Sequence, residues 1–119
     1  MKNQSFLRRL RHAVNGIGAA LRAEASLRTQ AFLGAVAAIV LVVLRPPPLW
    51  VALCVLAAAL VLSLELVNTA LEHLADRLHP EIDPSIRTAK DCAAGAVLIA
   101  SLAAAIIGAL TVAVSLKLV

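Results

Sequence analysis

Three stretches of this chain contain no charged residue: Thr29–Leu44, Pro46–Leu64 and Cys92–Leu116. A helix crosses a bilayer with about 20 predominantly apolar residues, because it satisfies all its backbone hydrogen bonds internally. The third stretch is long enough alone. The first two are completed by uncharged polar turns, at Gln30 on one side and Asn68–Leu71 on the other. Three spans are therefore expected. Hydrophobic residues make up 61% of the 119 and charged residues 15%, which excludes an ordinary soluble domain and leaves room for one unit.

Ahead of the first span, Phe6, Leu10, Val14, Ile17 and Leu21 recur at helical spacing, with Arg8, Arg9, Arg11, His12, Asn15 and Arg22 on the remaining surface. A basic amphipathic helix next to a span lies in the interface, its apolar face in the acyl boundary. The fold expected is an all-α membrane protein, an interfacial amphipathic helix plus three transmembrane helices. It forms a single domain over 1–119, with the interfacial helix at 5–28 and spans at 29–45, 49–78 and 84–117. Pro46, Pro47 and Pro48 end the first span, and Trp50 follows at interfacial level. His79-Pro80 ends the second, which runs on past the membrane to about Arg77. Asp83-Pro84 reads as an N-cap with proline at the first helical position. Ala100, Ala104 and Gly108 permit close helix approach in the third. So thin a bundle is a candidate for self-association.

Nine of the eleven Lys and Arg residues fall on one side of three spans: Lys2, Arg8, Arg9, Arg11, Arg22, Arg28, Arg77, Arg87 and Lys90. Only Arg45 and Lys117 fall on the other. This bias places the N-terminus and the loop after the second span in the cytoplasm, facing anionic headgroups. Nucleic acid is not an expected partner, for there is no aromatic platform. Cys54 and Cys92 read as small apolar packing residues rather than a disulfide framework. The apolar run begins only near residue 30 with no cleavage pattern, so the basic N-terminus is expected to be retained.

Charge enters the second span at its far end. Glu65, Asn68, Glu72 and Asp76 stand at 0, +3, +7 and +11, within roughly 80° of one another on a stripe about 16 Å long. A carboxylate deep in a membrane helix costs roughly 2.5–3.5 kcal/mol on insertion scales, so the stripe reads as a site. Hard oxygen ligands suit Mg²⁺, which binds through one or two carboxylates plus substrate phosphates. A carboxylate nearer the bilayer, desolvated and so more basic than usual, could take a proton from a lipid hydroxyl, and Lys90 can neutralise phosphate charge. Together these are parts for phosphoryl transfer. There is no phosphate-binding G-x-x-x-x-G-K-[ST] or G-x-G-x-x-G motif, no zinc spacing and no serine nucleophile with a His partner.

The pattern E-L-V-N-T-A-L-E-H-L-A-D-R (Glu65–Arg77), then A-K-D-C-A-A-G-A-V (Ala89–Val97), with E-A-S-L-R (Glu24–Arg28) upstream, resembles the bacterial integral-membrane diacylglycerol kinase family. The resemblance implies an ATP- and Mg²⁺-dependent lipid kinase of the bacterial inner membrane. It also implies a homotrimer with sites shared between neighbouring copies and no obligatory protein partner. By the same resemblance Glu65 is the general base, and Glu24 and Glu72 are ligands of the divalent ion. Asn68 orients the cluster. Lys90, Asp91 and the loop residues Glu81, Ile82 and Asp83 border the nucleotide. His12 stands where relatives place an aromatic ring near it. Arg28, Gln30 and Ala94, with Glu65 and Asn68, fall on the lipid side. Gln30 replaces an acid of one branch and a histidine of the other. A-A-G-A-V (Ala93–Val97) resembles the undecaprenol kinase branch, so undecaprenol is the alternative acceptor to diacylglycerol. An alternative of another class is a small oligomeric transporter coupled to protons or cations. That reading needs a charge near mid-span, whereas the acids here lie toward one half.

Overall fold

Ser5 opens the first helix, its hydroxyl accepting from the Arg8 amide at 3.3 Å. In the computed structural model, which describes residues 5–119, this helix is α1, Phe6–Ala23. Lys2, counted among the basic residues above, lies outside the described residues. The sequence predicts continuous helix through residue 28, but the backbone breaks at Glu24, which is extended (φ −114°, ψ 115°). Arg28 reaches back and donates from Nη1 to the carbonyls of Leu21 (2.8 Å) and Arg22 (3.0 Å). A cation over the last carbonyls satisfies groups that a helix end leaves unpaired. The next helix, α2, therefore starts at once and spans Ala25–Leu44.

α2 ends at Arg45, which adopts the left-handed conformation (φ 51°, ψ 57°). The prolines then prevent further winding, and Pro48 is the first residue of α3, Pro48–Leu78. Asp83 caps α4, Pro84–Ser115, accepting from the amides of Ser85 (2.8 Å) and Ile86 (3.3 Å). α2, α3 and α4 are each long and apolar enough to cross a membrane. α3 has 31 residues, about 46 Å of helix against a hydrocarbon layer of about 30 Å. Its charged end therefore extends beyond that layer.

α3 and α4 are antiparallel and make the most extensive contact in the chain. Cys54 meets Thr111 at one end of the pair (Sγ to Oγ1 3.2 Å), and Asp76 meets Lys90 at the other. α2 packs on α3, and α1 on both α2 and α3. Leu27, Val61 and Ala100 are buried in this bundle, along with Glu65, Thr69 and Thr111. Most of the apolar surface is not covered by the chain itself. Phe6, Leu10, Val14 and Ile17 on α1, and Phe32, Ile39 and Val43 on α2, remain exposed.

Candidate functional site

The site grows from the last four turns of α3. Glu65 stands 17 residues into that helix, about 26 Å from its start and so near the far edge of a 30 Å layer. It is only 6% exposed. Its Oε2 accepts from the Ser26 hydroxyl at 3.3 Å, a contact from the first turn of α2. The break at Glu24 sets the start of α2 against α3 at this level.

One turn on, Asn68 donates from Nδ2 to Glu72 Oε1 at 3.3 Å. Its other polar atom, Oδ1, is buried and has no partner among the described residues. A buried, unpaired carbonyl oxygen carries a desolvation penalty of about 1–3 kcal/mol, which a donor or a cation relieves. Glu24 joins from the α1–α2 joint, with Oε1 3.5 Å from His73 Nε2. That contact places Glu24 at the level of Glu72 along α3. Between α1 and α3 an apolar groove of about 480 Å³, lined by Ala13, Gly16, Ile17, Thr69 and His73, opens beside them.

The stripe ends at Asp76, which accepts from Lys90 Nζ at 2.5 Å. Asp91 instead pairs with Arg87 at 3.4 Å, on the exposed side of α4. In the connecting loop, Glu81 lies 3.7 Å from His79, Ile82 is fully exposed and Asp83 is engaged in capping. His12 is exposed on α1 and Ala94 on α4. Gln30 lines a separate cleft of about 380 Å³ with Gly34, Cys54, Ser101 and Gly108. One chain thus gathers Glu24, Glu65, Asn68, Glu72, Asp76 and Lys90 around the end of α3. It leaves His12, Ala94 and the loop outside that cluster.

Among the described residues no group of three or more His, Cys, Asp and Glu side chains gathers as a metal cage. The oxygen donors present are nonetheless of the kind a hard cation takes. Glu24 and Glu72 stand at one level, and the orphaned Oδ1 of Asn68 lies beside Glu72. Mg²⁺ takes one or two carboxylates and draws its other ligands from water and phosphate. The Asp76–Lys90 pair lies one turn farther along the helix, the position for a cation facing an anionic ligand.

A family profile described as prokaryotic diacylglycerol kinase matches residues 11–112 of this chain. The chain belongs to that family. The prokaryotic diacylglycerol kinase profile covers the whole cluster, from the α1–α2 joint to the start of α4. A protein named diacylglycerol kinase, from Synechocystis sp., is 37% identical over 99 residues, 82% of this chain and 57% of the relative. The chain thus matches little more than half the length of that relative. A protein named undecaprenol kinase, from Bacillus subtilis, is 48% identical over 48 residues, 40% of this chain and 39% of the relative.

Two site residues escape sequence reasoning. Ser26 reads as an ordinary small residue in E-A-S-L-R, and His73 as a lone histidine. His73 stands at +8 from Glu65, about 60° around α3 beyond the edge of the acidic stripe, so helical register did not single it out. Nothing in the spacing around Ser26 points to Glu65, because their contact depends on how α2 is rotated about its own axis.

Proposed function

We propose that this chain is an ATP- and Mg²⁺-dependent kinase of a membrane lipid alcohol, converting diacylglycerol to phosphatidic acid. One observation carries the reading: Glu65 is a buried carboxylate at the polar end of an apolar helix, in line with Asn68, Glu72 and the Asp76–Lys90 pair. Membership of the family supports the same reaction.

In this reading Glu65 accepts the proton of the lipid hydroxyl, the alcohol oxygen attacks the γ-phosphorus of ATP, and ADP leaves. Glu24 and Glu72 hold Mg²⁺ with Asn68 beside them, and the ion supplies neutralisation of phosphate charge. Lys90 leaves Asp76 for a phosphate oxygen, and Asp91 and residues 81–83 border the nucleotide. Arg28, Gln30 and Ala94 face the lipid. The charged end of α3 is cytoplasmic, the membrane is the bacterial inner membrane, and α1 lies in its interface. Copies of the chain close into a homotrimer with shared sites, covering part of the apolar surface left open on α2 to α4.

Undecaprenol is the second acceptor to test, because the undecaprenol kinase of Bacillus subtilis is the more identical of the two relatives over its shorter match. Purified chain incubated with γ-labelled ATP, Mg²⁺ and mixed micelles of diacylglycerol or undecaprenol decides both points. Label in phosphatidic acid is the expected result. Label in undecaprenyl phosphate alone changes the acceptor, and label in neither overturns the kinase reading.

A further inference from the structure

We infer that Ser26 is a positioning residue for Glu65, fixing Oε2 so that Oε1 faces the acceptor alcohol; this rests on the kinase reading above. Glu65 is more than nine-tenths buried, and the Ser26 hydroxyl is its hydrogen-bond donor. On its own helix the buried Thr69 hydroxyl, at +4, makes no hydrogen bond to Glu65. Val61, one turn back, is apolar, and the Asn68 amide, one turn on, is turned to Glu72. A glutamate carboxyl rotates broadly about its last torsion, so an unheld one samples many directions. Misplacement by about 1 Å costs as much as 10²-fold in rate.

The hydroxyl reaches Glu65 because of the α1–α2 joint. Arg28 closes the end of α1 and Glu24 contacts His73, so the two residues flanking Ser26 at ±2 both anchor this turn. The separation of 3.3 Å is long for O–H···O, as catalytic hydrogen bonds often are before ligands tighten them. Ser26 touches no reacting atom in this scheme, and its effect passes through Glu65.

The test compares wild-type chain with Ser26→Ala, Ser26→Thr and Ser26→Cys in diacylglycerol mixed micelles, with infrared difference spectra of the carboxylate band that Glu65→Gln removes. Expected for Ser26→Ala are a kcat lower by roughly 10- to 100-fold, KM for ATP and lipid within about twofold, and a displaced Glu65 band. Ser26→Thr, which keeps the hydroxyl, restores most of kcat. Ser26→Cys keeps the size and weakens the donor, and carries the same test where the alanine variant does not fold. An unmoved band, a kcat within about twofold of wild type, or no recovery with threonine overturns the inference. If wild type is active and Ser26→Ala equals it, only this inference falls. If wild type phosphorylates no lipid, the kinase reading falls and takes the inference with it.

Discussion

Lys90 donates to Asp76 across 2.5 Å, fastening the first turns of α4 to the last turn of α3. Asp76 is largely exposed and Lys90 about one-third exposed, so water screens the pair and it contributes about 0–1 kcal/mol. In the proposed site the pair holds a cation one turn beyond Glu72. Asp76→Asn is therefore expected to change unfolding free energy in detergent by less than about 1 kcal/mol, as read by denaturant titration. A larger loss shows that the pair is a structural clamp.

Lys90→Ala tests the other half of that relationship. A charge-assisted hydrogen bond contributes about 1.5–3 kcal/mol, so KM for ATP is expected to rise by roughly 10- to 100-fold. KM for the lipid stays near the wild-type value. Steady-state kinetics with each substrate varied in turn separate the two, and an unchanged KM for ATP removes Lys90 from the nucleotide site.

Glu65→Gln preserves side-chain shape, and the amide carbonyl still accepts from Ser26. What it removes is the proposed base, and a general base contributes typically 10²–10⁴-fold. Turnover is expected to drop by that order while circular dichroism and elution volume stay unchanged. Lipid phosphorylation at the wild-type rate dismisses Glu65 as the base.

The elements most legible in the sequence were those set by local chemistry. Three prolines after Arg45 ended α2, Asp83-Pro84 started α4, and helical spacing alone aligned Glu65, Asn68, Glu72 and Asp76. The joint at Glu24 was not legible. It contains neither glycine nor proline, and its cap comes from Arg28, on the helix that follows. Nor did the sequence reveal which face of α2 meets α3. α2 is apolar nearly all round, so periodicity does not orient it. The pairings Ser26–Glu65 and Glu24–His73 therefore appear only with the packed helices.

Thr111 is 1% exposed, donates to the Ile107 carbonyl at 2.7 Å and lies against Cys54. The hydroxyl is thus satisfied mainly within its own helix, a bond that adds little to helix stability. Thr111→Val, nearly the same shape, is expected to shift unfolding by less than about 1 kcal/mol. Thr111→Leu forces extra volume between α3 and α4 and is expected to destabilise by about 1–3 kcal/mol. Thermal unfolding in one detergent compares the two, and equal effects show that the α3–α4 seam is not tightly packed here.

Glu24 and Glu72 reach the site from different elements, and the metal prediction follows from that difference. Glu72 belongs to α3 and has Oε1 occupied by the Asn68 amide, whereas Glu24 comes from the α1–α2 joint and has Oε1 beside His73. If both hold Mg²⁺, Glu24→Gln and Glu72→Gln each remove a charged ligand. The Mg²⁺ concentration for half-maximal activity is expected to rise at least about tenfold in each, as for loss of a supporting group or more. His73→Ala only frees Glu24, so its increase is smaller than that of Glu24→Gln. Binding of Mn²⁺, followed by electron paramagnetic resonance in the presence of ATP, reads the same sites without turnover. Unchanged metal dependence in both glutamine variants removes the ligand roles and leaves the Glu24–His73 contact as a tie between the joint and α3.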